Sequence, residues 1–278
     1  MMTFFPLLFC SFVSFASVSA WSSSRCSGSN TSAIVCSYQF LQLPISNRSV
    51  YFQVPEGPAP SNGWPFAVFF QGSFAGPSLD WSLSTSDPFN AILQIDTFWA
   101  LLSSGIAVLA PAAIDDLFWQ TNLPPYDIFP NLWYQSDDHA MIVELLAAAD
   151  NASLPFNAPL DVDNAFAFGI SSGGYQSSRV AVDMPSWFRA VVVANGAYMT
   201  CGGPVCSTPR TVSPNHPPTR ILYGLIDPVV PAYTSIDYLK TLQRSNVTSD
   251  AIECALCVHE WIPDSAVAVV SWFNAYKG

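Results

Sequence analysis

A run of small and apolar residues around position 171 restricts the fold more than any other part of the sequence. Residues 165–168, Ala-Phe-Ala-Phe, form a short continuous apolar stretch that suits a strand buried on both faces. A stretch compatible with a helix follows over 172–184, and Pro185 ends it. Between the two, Gly169-Ile170-Ser171-Ser172-Gly173 matches G-x-S-x-G, a sharp strand-to-helix turn that lifts a serine hydroxyl above a sheet. Gly169 and Gly173 are expected to be required there, because a Cβ at either position would collide with the neighbouring strand or helix.

The same alternation runs through most of the chain. Strand signals lie at 49–54, 66–70, 106–110, 190–194 and 220–223, and a further apolar run at 255–258 stands just before His259. Helical stretches intervene at 88–103, 136–149, 172–184, 234–244 and 264–276. Alternating buried strands and helices predict an α/β fold, a mostly parallel central sheet with helices on both faces. In such a sheet the chemistry sits outside the carboxyl ends of the strands.

Residues 1–20 are apolar, uncharged and end in Val18-Ser19-Ala20, the pattern of a signal peptide, and no later stretch is apolar enough to span a bilayer. The expectation is a secreted, extracellular protein in which 21–278 forms a single domain. Half the residues are hydrophobic and 10% charged, which fits one large core. A net charge of -11 argues against nucleic acid and anionic membranes as partners, since nothing here would neutralise phosphates. Beyond the leader, Cys26, Cys36, Cys201, Cys206, Cys254 and Cys257 fall into three sequence-local pairs and are read as disulfides. Cys254 and Cys257 have no second Cys/His pair at metal spacing, so they are read as a bridge, and no metal is expected. N-x-S/T sequons at Asn30, Asn47, Asn151 and Asn246 are expected at the surface as glycosylation sites.

A serine needs a base to take its proton, and an imidazole base needs an acid to orient it. Of the three histidines, His139 lies in a helical stretch and His216 in a Pro-rich segment, whereas His259 stands where a strand-end loop meets the last helix. Asp227 follows the strand at 220–223 through a turn, while the rivals Asp237 and Asp264 lie in or at the start of helices, where a solvated or capping carboxylate is the ordinary role. The order Ser171, Asp227, His259 is the succession used by α/β-hydrolases. The oxyanion hole is expected from the backbone N–H of Ser172 and of Ser73 or Phe74, in the loop after 66–70. The long connection 111–135 and the site's neighbourhood supply aromatic residues, of which Trp119, Trp133, Tyr175 and Trp261 are candidate substrate contacts; the other reading places such rings in a satellite core under the loop.

Together, Gly169-Ile-Ser-Ser-Gly-Gly174, the turn through Asp227 to Val230-Pro231, and His259-Glu260-Trp261 with nearby Pro263 resemble the α/β-hydrolase group of extracellular polyhydroxybutyrate depolymerases and feruloyl-esterase-like enzymes. The resemblance spans about residues 51–276. It implies a serine esterase acting on polymeric or aromatic esters through an acyl-enzyme, with no cofactor. Two departures stand out: Gln71-Gly72 where these families show His-Gly, and a proline one residue late after Trp261. A serine peptidase of the same fold and a catalytically silent secreted binding protein are the competing readings.

Overall fold

The computed structural model describes residues 21–151, 159–201 and 207–278, so the leader expected at 1–20, the rest of the Asn151 sequon and Cys206 lie outside the described residues. The chain opens with the short strands β1 (Cys26–Ser29), β2 (Ala33–Cys36), β3 (Gln39–Gln42) and β4 (Ser49–Gln53). Then come β5 (Trp64–Phe70), β6 (Ser82–Ser84), α1 (Ile92–Ser103), β7 (Ala107–Pro111), α2 (Asp137–Asp150), β8 (Leu160–Ile170) and α3 (Ser172–Asp183). The last elements are β9 (Ala190–Ala194), β10 (Thr219–Gly224), α4 (Ala232–Arg244), β11 (Ser249–Cys254) and α5 (Ser265–Tyr276).

Eight strands form one sheet in the order β11-β10-β9-β8-β5-β7-β4-β3. Neighbours from β11 to β7 pair in parallel, and β4 runs against both of its neighbours. The inner strands read as unbroken apolar runs because both of their faces are covered. In β5, Phe66, Val68 and Phe70 join one core with Met141 and Leu145 of α2, Val180 of α3 and Leu242 of α4. Ala67 and Phe69 join the other, with Phe98 of α1 and Phe273 of α5. The expected helices on both faces are therefore present.

Two expectations are corrected. The apolar run 255–258 is not a strand; the last strand is β11, five of whose six residues are half-buried at the sheet edge, so it lacks the burial that makes an apolar signal. Residues 88–90 form a separate 3₁₀ turn, with Phe89 at φ 61°, so α1 begins only at Ile92. The strands β1, β2, β3 and β6 were not foreseen, being only three or four residues long and, apart from β2, half or more polar. β1, β2 and β6 make a small antiparallel sheet in which Cys26 and Cys36 are register partners and disulfide-bonded. A second disulfide joins Cys254 to Cys257, just before His259. Asn47, Asn151 and Asn246 are exposed and Asn30 is half-buried. Among the described residues, no helix is long and apolar enough to cross a membrane.

His216 is buried ahead of β10. Its Nδ1–H donates to the Pro217 carbonyl at 2.8 Å, and Nε2 accepts from the Tyr238 hydroxyl at 2.9 Å. Burial pushes this imidazole down to about 4. Since the unfolded chain takes up the proton first, the stability carried by the neutral ring is present at neutral pH and is lost as pH falls from about 6.5 towards about 4. Asp80, pushed up to about 8 by complete burial, has the opposite trend, losing stability as pH rises from about 4 to about 8. Comparing the parent with His216→Gln cancels the Asp80 term: the parent is expected to lose about 2 kcal/mol more than the variant between pH 7 and pH 5 in urea titrations.

Candidate active site

At the carboxyl end of β8 the chain turns abruptly into α3. Ser171 takes φ 58° and ψ -122°, a conformation that costs a non-glycine residue energy and is held by its surroundings. The glycines around it admit no side chain. A Cβ on Gly169 would lie 2.5 Å from the Phe70 and Gly173 carbonyl oxygens, and one on Gly173 would lie 1.9 Å from the Phe70 oxygen. The packing of β5 against this turn is thus what the G-x-S-x-G spacing encodes.

Two further strand ends bring the partners in. The Ser171 hydroxyl donates to His259 Nε2 at 2.8 Å, and His259 Nδ1–H donates to Asp227 Oδ2 at 2.8 Å. The other carboxylate oxygen of Asp227 accepts from the Val229 and Val230 backbone N–H groups at 2.7 and 2.9 Å, which fixes its orientation. The Asp227 side chain is almost fully buried, and that of His259 keeps a small opening to solvent. Gly224 presses the two segments together, since a Cβ there would meet the Cys257 carbonyl oxygen at 2.2 Å. The rivals lie elsewhere: Asp237 faces Lys240 on the surface, Asp264 is exposed, and His139 packs edge-on against Trp133 and Tyr134. A serine bonded to an imidazole that is itself oriented by a carboxylate can add to a carbonyl while passing its proton to the ring.

The loop after β5 lies against the nucleophile, an ideal Cβ on Gly72 falling 3.8 Å from the Ser171 Cβ. Of the two expected donors in this loop, the Phe74 N–H donates to the Leu117 carbonyl at 2.7 Å and is committed there. Ser73, with Ser172, is the candidate that stays. Gln71, a departure from the resembled families, is fully buried and stitches the next loop down: Nε2 donates to the Asp116 carbonyl at 3.0 Å, and Oε1 accepts from the Ala113 N–H at 3.3 Å.

The four proposed aromatic contacts are corrected. Trp119 and Trp133 are 0% exposed, and Trp261 and Tyr175 are also buried, so none offers a ring face to a substrate. Trp119 Nε1 donates to the Gln71 carbonyl, Tyr175 Oη to the Cys201 carbonyl, and Trp261 Nε1 to Gln94 Oε1. The Arg179 guanidinium lies over the Trp133 ring, 5.4 Å from its centroid. Trp119, Trp133 and Tyr175 belong to the core on the α2 and α3 side, the other reading of the loop rings, and Trp261 belongs to the core on the α1 and α5 side. The exposed apolar side chains around the site are instead Phe74, Phe89, Leu117, Ile226, Val229 and Val258. The Phe89 ring stands edge-on to His259, 6.4 Å between centroids. Their sequence signal was their place: Ile226 and Val229 flank Asp227, and Val258 adjoins His259.

No protein-family model matches the sequence. Over 246 residues, 87% of this chain and 86% of the relative, it is 37% identical to a poly(3-hydroxyoctanoate) depolymerase of Pseudomonas fluorescens. Among solved structures, an acetyl xylan esterase from Aspergillus awamori superposes with a TM-score of 0.61 at 16% identity, over 86% of this chain and 99% of that one. A truncated carbohydrate esterase from gut microbiota gives 0.60 at 14% identity, over 89% and 97% of the two chains.

Proposed function

Since the chain belongs to the family of the Pseudomonas fluorescens poly(3-hydroxyoctanoate) depolymerase and has the α/β-hydrolase fold, we propose that it is a secreted serine esterase that cleaves ester bonds of an apolar aliphatic polyester through a Ser171-His259-Asp227 triad. The observation that carries this reading is the unbroken hydrogen-bonded chain from the Ser171 hydroxyl through His259 to Asp227. Ser171 adds to the ester carbonyl as His259 accepts its proton, and the resulting oxyanion faces the N–H groups of Ser172 and Ser73. His259 then protonates the leaving alcohol, giving an acyl-enzyme, and water activated by the same ring releases the acid. Asp227 holds His259 with Nδ1 protonated, which leaves Nε2 free as the base.

The exposed apolar rim supports a water-insoluble substrate over a small polar one. The disulfides Cys26–Cys36 and Cys254–Cys257 support an oxidising compartment. Labelling with an organophosphonate tests the reading: a single adduct is expected on Ser171, absent in Ser171→Ala, together with release of hydroxy acid from a poly(3-hydroxyoctanoate) suspension by the parent alone. An adduct elsewhere, or equal release by both proteins, rejects it.

A further inference from the structure

The three loops that carry Ser171, Asp227 and His259 meet on one dipeptide that supplies no reacting group. Ala194 ends β9, and its carbonyl accepts the Ser171 backbone N–H at 3.0 Å. Asn195 follows at φ 39°, in the left-handed region that asparagine enters more readily than most residues. Its backbone N–H donates to the Leu222 carbonyl of β10 at 2.8 Å. Its side chain is buried and uses both ends. Oδ1 accepts from the Gly224 N–H at 3.2 Å, at the head of the turn that bears Asp227, and Nδ2 donates to the carbonyl of Glu260, the residue after His259.

We propose that Asn195 is a positioning residue that sets the separation of the Asp227 turn from the His259 loop, and through it the hydrogen-bonded geometry of the triad. This inference rests on the serine-esterase reading of the site. The amide has one workable orientation. Flipped, it would set its NH₂ against the Gly224 N–H and its oxygen against the Glu260 carbonyl, two repulsive pairs in a buried place. Apart from the Asp227–His259 pair itself, no other side chain among the described residues is seen to bond both segments. Asp227 is otherwise held by Val229 and Val230, within its own turn, and the His259 loop by Phe89 and Gln94, on the α1 side. Without the amide, the Gly224 N–H and the Glu260 carbonyl must find new partners, and the two loops shift independently. Small misplacements of this kind lower turnover without weakening substrate binding.

Asn195→Gly removes both bonds and relieves the positive φ, whereas Asn195→Asp keeps the acceptor for Gly224 and replaces the donor to Glu260 with a carboxylate oxygen that repels its carbonyl. On a soluble aryl ester, both are expected to lower kcat by about tenfold to a hundredfold, with KM within about twofold of the parent and a cooperative melting transition. Organophosphonate labelling of Ser171 should slow in parallel. In a His259→Ala background neither substitution should lower the residual activity further, because the geometry it protects is already gone. Folded variants that keep kcat within about twofold, or an undiminished loss in the His259→Ala background, overturn the proposal. So does failure of both variants to fold, since the amide would then serve the whole fold. If Ser171→Ala matches the parent, the esterase reading itself fails; if Ser171→Ala is silent while both Asn195 variants are fully active, only this inference does.

Discussion

Asp227→Asn is expected to lower kcat on an activated aryl ester by about four orders of magnitude while KM and the melting temperature stay close to the parent's. The substituted amide can keep its oxygen towards the Val229 and Val230 N–H groups, which now donate to Asp227 Oδ1 at 2.7 and 2.9 Å. Its NH₂ then faces His259 Nδ1, where a carboxylate oxygen now sits at 2.8 Å. An imidazole offered a donor there turns its lone pair to it and carries its proton on Nε2 instead. With Nε2 protonated, the ring cannot take the proton of the Ser171 hydroxyl. The loss therefore falls on the chemical step, and steady-state kinetics beside a thermal melt check it. A drop smaller than about tenfold would mean that Asp227 does not orient the base.

Gly173→Ala is expected to destabilise the protein by at least about 3 kcal/mol, equivalent to a fall in melting temperature of about 10 °C. The added carbon would sit 1.9 Å from the Phe70 carbonyl oxygen and 2.4 Å from that of Gln71. Both obstacles are backbone at the end of β5, whose β7 and β8 neighbours fix it in the sheet, so neither can rotate away as a side chain would. Gly72→Ala is the control. There the nearest atoms lie at 3.5 Å, ordinary contact, and a stability change below about 1 kcal/mol is expected. Equal melting temperatures for the two variants would refute the packing argument.

The elements legible in the sequence were those whose signal is local. The strand at 165–168, the two obligatory glycines and the helix after Ser171 lie within one stretch, and the chain spells them directly. The end of β10 likewise located Asp227, because in a parallel sheet the residue after a buried strand lies on the functional rim; His259 was placed by its position before α5, although the run 255–258 ahead of it is a bridged turn and no strand. What failed depends on tertiary cover. Trp119 and Trp133 carry the same composition signal whether they face solvent or interior, and only the folded loop over α3 decides. β11 reads as Ser-Asp-Ala-Ile-Glu-Cys because an edge strand needs no continuous apolar run, and the apolar Ala255 and Leu256 beyond it stay exposed in the bridged turn. Asn195 gave no signal, since an asparagine after a strand is usually a turn residue.

The contact at Gly224 bears on how the site can be remodelled. With the Cys257 carbonyl filling the place of a side chain there, the turn through Asp227 and the bridged segment before His259 are complementary surfaces, shaped to one another atom by atom. A recombinant chimera that imports one of them from a relative inherits a mismatch unless it imports the other as well. The exposed side chains of Phe74 and Phe89 carry no such obligation and are the positions to diversify one at a time.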